Sequence, residues 1–413
     1  MRIFPRSLTR VLWSLLAVLT VLFAVPGQAT ATPVGVPAPS DDPFYTPPNP
    51  LPSGVPGDVI RQRKVNVYAD PLTVFPVPAN AWQLLYRSTS ATGTANAVSG
   101  TLLVPITPWL RPGPRPLVSY AVGTHGLGDS CAPSHKLRTG TETEILLITQ
   151  ALLRGWAVVL TDYEGLGTPG THTYAVGRAE GHAVLDAARA AARVPGSGVS
   201  PSAPVGLFGY SQGGQATAFA GEQQPVYAPE LNLVGVASGG VPADLTAVAR
   251  FNDGNIGFSL VLAAAAGFDA AYSDVPFEEI LNDTGRATVP RVANACTVEL
   301  ATIAPFRRLN DFFTLPDPLA DPRWRARLTE NRAGTRVPGA PVYLYHGTLD
   351  ELIPLSVGRS LRSAWCVHGT TVRWQEIPLA EHILGVAVGG PGAMNWLGDR
   401  FAGRPATGNC GTA

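Results

Sequence analysis

Val205-Gly206-Leu207-Phe208 runs directly into Gly209-Tyr210-Ser211-Gln212-Gly213, and Gly214-Gln215-Ala216-Thr217-Ala218-Phe219-Ala220 follows. The first segment is a short apolar run of buried-strand type, and the last is an alanine-rich stretch able to continue as helix. Between them, Gly-x-Ser-x-Gly reads as a sharp strand-to-helix turn that lifts a serine above an α/β sheet. Such a turn is strained and crowded, so the residues two before and two after the serine must be small. Gly209 and Gly213 meet that demand. The helix then aims its N-terminal amides at negative charge forming beside Ser211. Five-residue matches arise by chance in a chain with 44 glycines. The strand before and the helix after are what separate this one from a structural turn.

Outward from the elbow, apolar runs alternate with helical stretches. Residues 117–122 and 156–161 read as strands upstream, with helices at 142–154 and 175–193. The second helix carries Val176, Ala179, Ala183, Val184, Ala187 and Ala191 on one face. Downstream, 233–236, 342–345 and 372–377 read as further strands. This alternation predicts an α/β fold, a mostly parallel central sheet with helices on both faces. Its chemistry belongs at the carboxyl ends of the strands. Nearer the N-terminus, 64–68, 82–87 and 97–104 predict an antiparallel edge, preceded by a proline-rich arm at 32–56 expected to run extended over the surface. Residues 241–339 break the alternation. They contain the apolar stretch 256–271 and then Phe306, Phe312 and Phe313, and an insertion here would sit over the elbow as a helical cap lining an acyl-binding cleft. The expected organisation is a first core part at 32–240, a cap at 241–339 and a last core part at 340–413.

Arg2, Arg6 and Arg10 precede an apolar run of 15 residues, 11–25, and then Ala29-Thr30-Ala31. Basic, apolar, then small-x-small is the pattern of a secretory signal peptide, here 1–31 with cleavage near Ala31. The run is shorter than the about 20 residues needed to cross a bilayer. No later segment reaches that length without charge, so the mature chain is expected to be exported and free of integral membrane association. Net charge is zero and 15% of residues are charged, with no basic stripe to hold phosphates, which argues against nucleic acid as a partner. The four cysteines, at 131, 296, 366 and 410, imply two disulfides in an exported chain. Spacing does not choose among the three connectivities. No Cys-x-x-Cys pair and no histidine at ligand spacing accompany them, which argues against a metal site.

A serine becomes a nucleophile only when a base takes its proton and a carboxylate orients that base. In α/β hydrolases the chain order is Ser, then Asp or Glu, then His. Only His346, His368 and His382 follow Ser211. Asp350 lies in Gly347-Thr348-Leu349-Asp350-Glu351, the loop after strand 342–345. His382 lies in Pro378-Leu379-Ala380-Glu381-His382, the loop after strand 372–377. They lie 32 residues apart, which leaves room for one helix and one strand. Ser211, Asp350 and His382 therefore fall after three strands in the required order, as nucleophile, acid and base. Glu351 is the alternative acid. His346 reads as a packed or hydrogen-bonded residue, and His368 as an exposed one in a turn. The oxyanion hole needs two backbone N–H groups. One is expected from Gln212, and the second from Gly123-Thr124-His125-Gly126-Leu127-Gly128-Asp129, with Thr124 or His125 as donor. Asp162-Tyr163-Glu164-Gly165 sits at another strand end and reads as a segment that shapes the site. Pairing its carboxylates as in a glycosidase leaves the elbow unexplained.

With these residues assembled, the chain resembles the secretory lipase family of α/β hydrolases. The resemblance starts at Asp41-Asp42-Pro43-Phe44-Tyr45, Ile60-Arg61-Gln62-Arg63-Lys64-Val65 and Cys131-Ala132-Pro133-Ser134. It continues through Asp162-Tyr163-Glu164-Gly165, Gly209-Tyr210-Ser211 and Tyr227-Ala228-Pro229-Glu230-Leu231-Asn232. Asp350-Glu351 with Pro354, and Ala380-Glu381-His382, close the series. The resemblance implies a secreted serine hydrolase with no cofactor and a helical cap. Its substrates would be triacylglycerols and other carboxylic esters, met at a lipid–water interface, with Ser211, Asp350 and His382 as the triad. It also implies the disulfides Cys131–Cys296 and Cys366–Cys410. Two departures stand out. His125 occupies the place of an acidic residue in a fungal member's oxyanion loop. The chain also ends three residues after Cys410, where that member carries a C-terminal flap, so a more open cleft is expected. The rival readings are a short-chain carboxylesterase, an acyltransferase or a peptidase with the same triad, and a hydrolase-like binding protein without catalysis.

Overall fold

Val59–Val65 (β1), Ala79–Thr89 (β2) and Ala95–Pro105 (β3) form the antiparallel edge of a nine-stranded sheet. Leu117–Ala121 (β4), Ala157–Thr161 (β5), Val205–Tyr210 (β6), Leu233–Gly239 (β7), Val342–Gly347 (β8) and Val372–Ile377 (β9) form its parallel part. Across the sheet the order is β1-β2-β3-β5-β4-β6-β7-β8-β9, with β3 antiparallel to β5 at the junction. β4, β5 and β6 are buried along their whole length. Strands covered on both faces read as unbroken apolar runs rather than alternating ones. The structure, a computed structural model, describes residues 35–411. The signal peptide expected at 1–31, with its cleavage site near Ala31, lies outside the described residues.

Four helices belong to the first part of the core: Pro133–Thr139 (α1), Ile145–Leu153 (α2), Gly177–Arg193 (α3) and Gln212–Tyr227 (α4). Six fill the connection from β7 to β8: Leu245–Asn252 (α5), Phe258–Ala271 (α6), Phe277–Ile280 (α7), Asp283–Asn294 (α8), Thr297–Ile303 (α9) and Pro322–Glu330 (α10). Leu355–Val367 (α11) and His382–Phe401 (α12) complete the chain. Successive strand residues point to opposite faces, and β7 shows both coverings at once. A Cβ on Gly235 would meet Trp396 and Arg400 of α12, whereas the next residue, Val236, packs on Gly221 of α4. The six-helix insertion has an apolar core of its own. In it Phe258 stacks on Phe312 with centroids 5.5 Å apart, and Phe268 lies 6.2 Å from Trp324.

Both disulfides implied by the resemblance are present, Cys131–Cys296 and Cys366–Cys410. The first ties the loop after β4 to the insertion across 165 residues. Replacing Cys131 and Cys296 together by serine should lower stability by about 2–5 kcal/mol, since closing a long loop restricts the unfolded chain most. A fall in the urea midpoint measures this, and an unchanged midpoint refutes it.

Three local expectations are corrected. The first strand is Val59–Val65 rather than 64–68. Arg61 and Arg63 conceal it in the sequence, and both guanidinium groups lie over the Phe44 ring. Beyond Val65 the chain leaves the sheet, with Tyr68 in an isolated bridge to Pro76 and its N–H donating to the Leu137 oxygen. The arm is not merely superficial. Phe44 and Tyr45 are buried with Leu85 and Ala97, and Asp42 pairs with Arg63 and Arg138. Finally, α2 begins at Ile145 rather than at 142 because the Glu142 carboxylate accepts from the Glu144 N–H and bonds His125.

Candidate active site

Ser211 stands at the end of β6 with φ 58° and ψ −121°, a left-handed backbone that non-glycine residues adopt only where the surroundings impose it. The flanking glycines explain the constraint. A Cβ on Gly209 would lie 2.2 Å from the Gly213 oxygen, and one on Gly213 would lie 1.9 Å from the Ala121 oxygen. The Ser211 N–H donates to the Gly239 carbonyl of β7 at 2.9 Å, which fixes the turn against the neighbouring strand.

Asp350 follows β8, and His382 opens α12 after β9. Folding brings them to Ser211 in one line. His382 Nε2 is 3.0 Å from Ser211 Oγ, and His382 Nδ1 is 2.8 Å from Asp350 Oδ2. A carboxylate accepts only, so Nδ1 holds the ring proton and Nε2 faces the serine hydroxyl as acceptor. Asp350 Oδ1 is held separately by the N–H groups of Leu352 (3.0 Å) and Ile353 (2.8 Å). Burial would raise this carboxyl, but the His346 and His382 contacts outweigh it and hold the group below the usual carboxylate range. His346, expected to be a packed or hydrogen-bonded residue, touches Asp350 itself. Its Nε2 is 3.3 Å from Asp350 Oδ2 and 2.9 Å from the Ile353 oxygen. Glu351 plays a different part: its Oε2 accepts the His382 backbone N–H at 3.0 Å. His368 is exposed at the C-terminus of α11, as expected.

The loop after β4 lies against the elbow, where a Cβ on Gly123 would come within 4.0 Å of the Ser211 Cβ. The Gly123 N–H is occupied by Glu144 Oε1 at 2.6 Å. His125 turns its ring inward, with Nδ1 2.9 Å from the Gly123 oxygen and Nε2 2.9 Å from Glu142. Burial would lower this imidazole, but the Glu142 carboxylate prevails and the group is raised to about 9, so both ring nitrogens donate. His125 therefore presents only its backbone N–H to the site. Thr297, at the start of α9, binds the loop from outside. Its hydroxyl donates to the Thr124 oxygen (2.6 Å) and its N–H to the His125 oxygen (3.0 Å). Among the described residues, neither the Thr124 nor the His125 N–H donates to another protein atom. The Gln212 N–H opens a helix, where the first amides have no intrahelical acceptor. Asp162 shapes the surroundings as expected. It accepts from Ser134 N–H (2.7 Å) and Ser99 Oγ (2.6 Å), and burial raises it to about 6. Tyr163 donates to the Val122 oxygen at 2.8 Å.

Four residues around the site were not found from the sequence: Glu142, Glu144, His172 and Glu180. The last two grip the Gln212 side chain. No motif marks them, since each acts through a partner distant in the chain.

Ser211 and Gln212 open onto an apolar cleft of about 940 Å³, counting its mouth. One face of α6 forms a wall through Leu260, Val261, Ala264, Ala265 and Phe268, joined by Phe313 and Trp324. Of the other expected phenylalanines, Phe312 stacks on Phe258 behind that wall and Phe306 is exposed at the surface. Among the described residues no helix is long and apolar enough to cross a membrane.

A family model described as secretory lipase matches residues 132–409. A Mycobacterium tuberculosis protein named probable inactive lipase MT1628 is 34% identical, over 89% of this chain and 84% of its own. Lipase 10 of Candida albicans is 32% identical, over 95% of this chain and 87% of its own. The crystal structure of Candida antarctica lipase A in its closed state superposes with a TM-score of 0.83 at 27% identity, covering 92% of this chain and 90% of that one.

Proposed function

The chain belongs to the secretory lipase family, and from that premise we propose that it is a secreted lipase that hydrolyses triacylglycerols and related long-chain esters through an acyl-enzyme on Ser211. The observation that carries this reading is the hydrogen-bonded line Asp350–His382–Ser211 ending at the mouth of the apolar cleft. Ser211 Oγ attacks the ester carbonyl while His382 Nε2 takes its proton, and Asp350 holds the imidazolium that forms. The carbonyl oxygen, now negative, receives the Gln212 N–H and one N–H of Thr124 or His125. Collapse expels the alcohol, which leaves with the proton from His382. Water, deprotonated by the same imidazole, then attacks the acyl-enzyme and releases the fatty acid. Residues 241–339 act as the cap and provide the acyl wall. No step needs a metal or an organic cofactor. Residues 1–31 serve export and are removed near Ala31.

One relative is named a probable inactive lipase, so a non-catalytic reading has a specific motive. Against it stand all three side chains at bonding distance in this chain. Reaction of Ser211 with a fluorophosphonate separates the two, because only an activated serine is modified. The substrate test is a rate profile on p-nitrophenyl esters from acetate to palmitate and on emulsified triacylglycerol. Rates rising toward long chains, with turnover of the emulsion, are expected from a cleft walled by apolar side chains. Activity confined to short soluble esters refutes the lipase reading and leaves a carboxylesterase with the same triad.

A further inference from the structure

Glu180 on α3 is 1% exposed and takes no part in the steps above. Its Oε1 accepts from Gln212 Nε2 at 2.8 Å and from the Ala175 N–H at 3.0 Å, and its Oε2 has no partner. The same Gln212 nitrogen lies 2.9 Å from His172 Nε2, while His172 Nδ1 lies 2.8 Å from the Glu164 carbonyl. Nδ1 therefore holds the ring proton and Nε2 accepts. The two hydrogens of the Gln212 amide are divided between His172 and Glu180, and the side chain cannot rotate without breaking both bonds. Gln212 is the residue whose backbone N–H faces the oxyanion.

The other contact of Glu180 leads to the opposite arm. Ala175 has φ 60°, a strained conformation that persists only when its surroundings hold it. Glu180 takes its N–H, and Gln215 Nε2 donates to its carbonyl at 3.3 Å. This turn carries Tyr174, whose hydroxyl is 2.8 Å from Thr124 Oγ1 in the second oxyanion segment. One carboxyl oxygen thus reaches both arms, through Gln212 directly and through Ala175–Tyr174–Thr124.

We propose that Glu180 is a positioning residue that holds the two arms of the oxyanion hole in register. The proposal rests on the hydrolase reading of Ser211 and Gln212. The titratable groups around Glu180 are His172, lowered to about 4 by burial, and the phenols of Tyr163 and Tyr174, both raised by burial. No ion pair reaches Glu180 among the described residues. Burial pushes its carboxyl up to about 8 against the hydrogen bonds from Gln212 and Ala175. At neutral pH it is a neutral acid. Above that value it becomes an uncompensated anion beside the donor that must stabilise the oxyanion.

The test is Glu180→Ala and Glu180→Gln, assayed on a soluble ester for kcat, KM and pH profile. Removing an oxyanion donor costs about 10²–10³ in kcat, and displacing one should cost less. Glu180→Ala is expected to lose roughly ten- to a hundredfold in kcat with KM within about twofold. Glu180→Gln keeps the accepting oxygen without the charge. It is expected to restore kcat near neutrality and to lack the wild-type alkaline decline near pH 8. A second readout is independent of turnover. A group raised in the folded state costs stability as pH climbs from its unfolded value, about 4.3, to its folded one, and the loss levels off beyond. Glu180→Gln should remove that part of the slope. A folded Glu180→Ala with wild-type kcat overturns the positioning role. So does a folded Glu180→Gln whose kcat near neutrality falls by about tenfold or more although the accepting oxygen is kept, which decides the matter if the alanine variant fails to fold. A wild type that turns over no ester overturns the hydrolase reading instead, a result distinct from either.

Discussion

Ser211→Ala should abolish ester hydrolysis in a protein that still folds, with kcat falling by about 10⁶ as in other serine hydrolases. The loss is large because the hydroxyl is the bond-forming atom and nothing else in the cleft replaces it. The oxyanion hole proposed for Gln212 and the 123–126 loop would survive, so a residual rate of roughly 10³–10⁴ over water is all that should remain. Stability should change little. Alanine keeps the Cβ that already tolerates φ 58°, and the serine side chain makes no capping bond to α4. The check is a paired measurement of initial rates and thermal midpoint. Turnover within about a hundredfold of wild type, in a sample free of contaminating esterase, would place the nucleophile elsewhere.

Asp350→Asn should cost about 10⁴ in kcat, for a reason visible in the turn. The N–H groups of Leu352 and Ile353 both require an oxygen at the Oδ1 position. An asparagine therefore keeps its carbonyl there and turns its NH2 toward His382 Nδ1. That nitrogen must then accept, the ring proton moves to Nε2, and the base no longer accepts from Ser211. His346 Nε2 also faces the Asp350 Oδ2 position; it loses that contact and keeps the Ile353 oxygen as acceptor. Glu351→Gln is the control. Its oxygen can still accept the His382 N–H, so its loss should remain within about tenfold. If Glu351→Gln costs more than Asp350→Asn, the acid is Glu351. The pH dependence agrees in sign. A carboxyl held below its ordinary value contributes stability above about pH 4 and loses it only as pH falls toward the lowered value. Wild type should therefore lose this contribution in acid, and Asp350→Asn should not.

The two candidate acids show how far a linear reading reaches. Asp350 and Glu351 are neighbours, both allowed by the chain-order rule, and both touch His382. What distinguishes them is the turn 350–353. It aims the shorter side chain at the ring nitrogen and the longer one at the backbone N–H. The loop after β4 behaves in the same way. Its glycines announce a close approach, but the inward rotation of His125 follows from Glu142, a residue that reads as the start of a helix and is instead spent on the imidazole.

By itself, the sequence determined the glycine-flanked turn at Ser211, the order along the chain of the serine, carboxylate and histidine that meet there, the alternation that builds a parallel sheet and the helical stretch that interrupts it. These are local properties. A strained turn demands glycines at fixed offsets, a doubly covered strand demands an unbroken apolar run, and both demands are written within a few residues. Only the tertiary structure decided which carboxylate meets the His382 ring, that Thr297 anchors the loop after β4, that α6 walls the cleft, and that His172 and Glu180 grip Gln212. Those depend on side chains tens of residues apart meeting within hydrogen-bonding distance, and their relative placement is set by packing across the whole sheet.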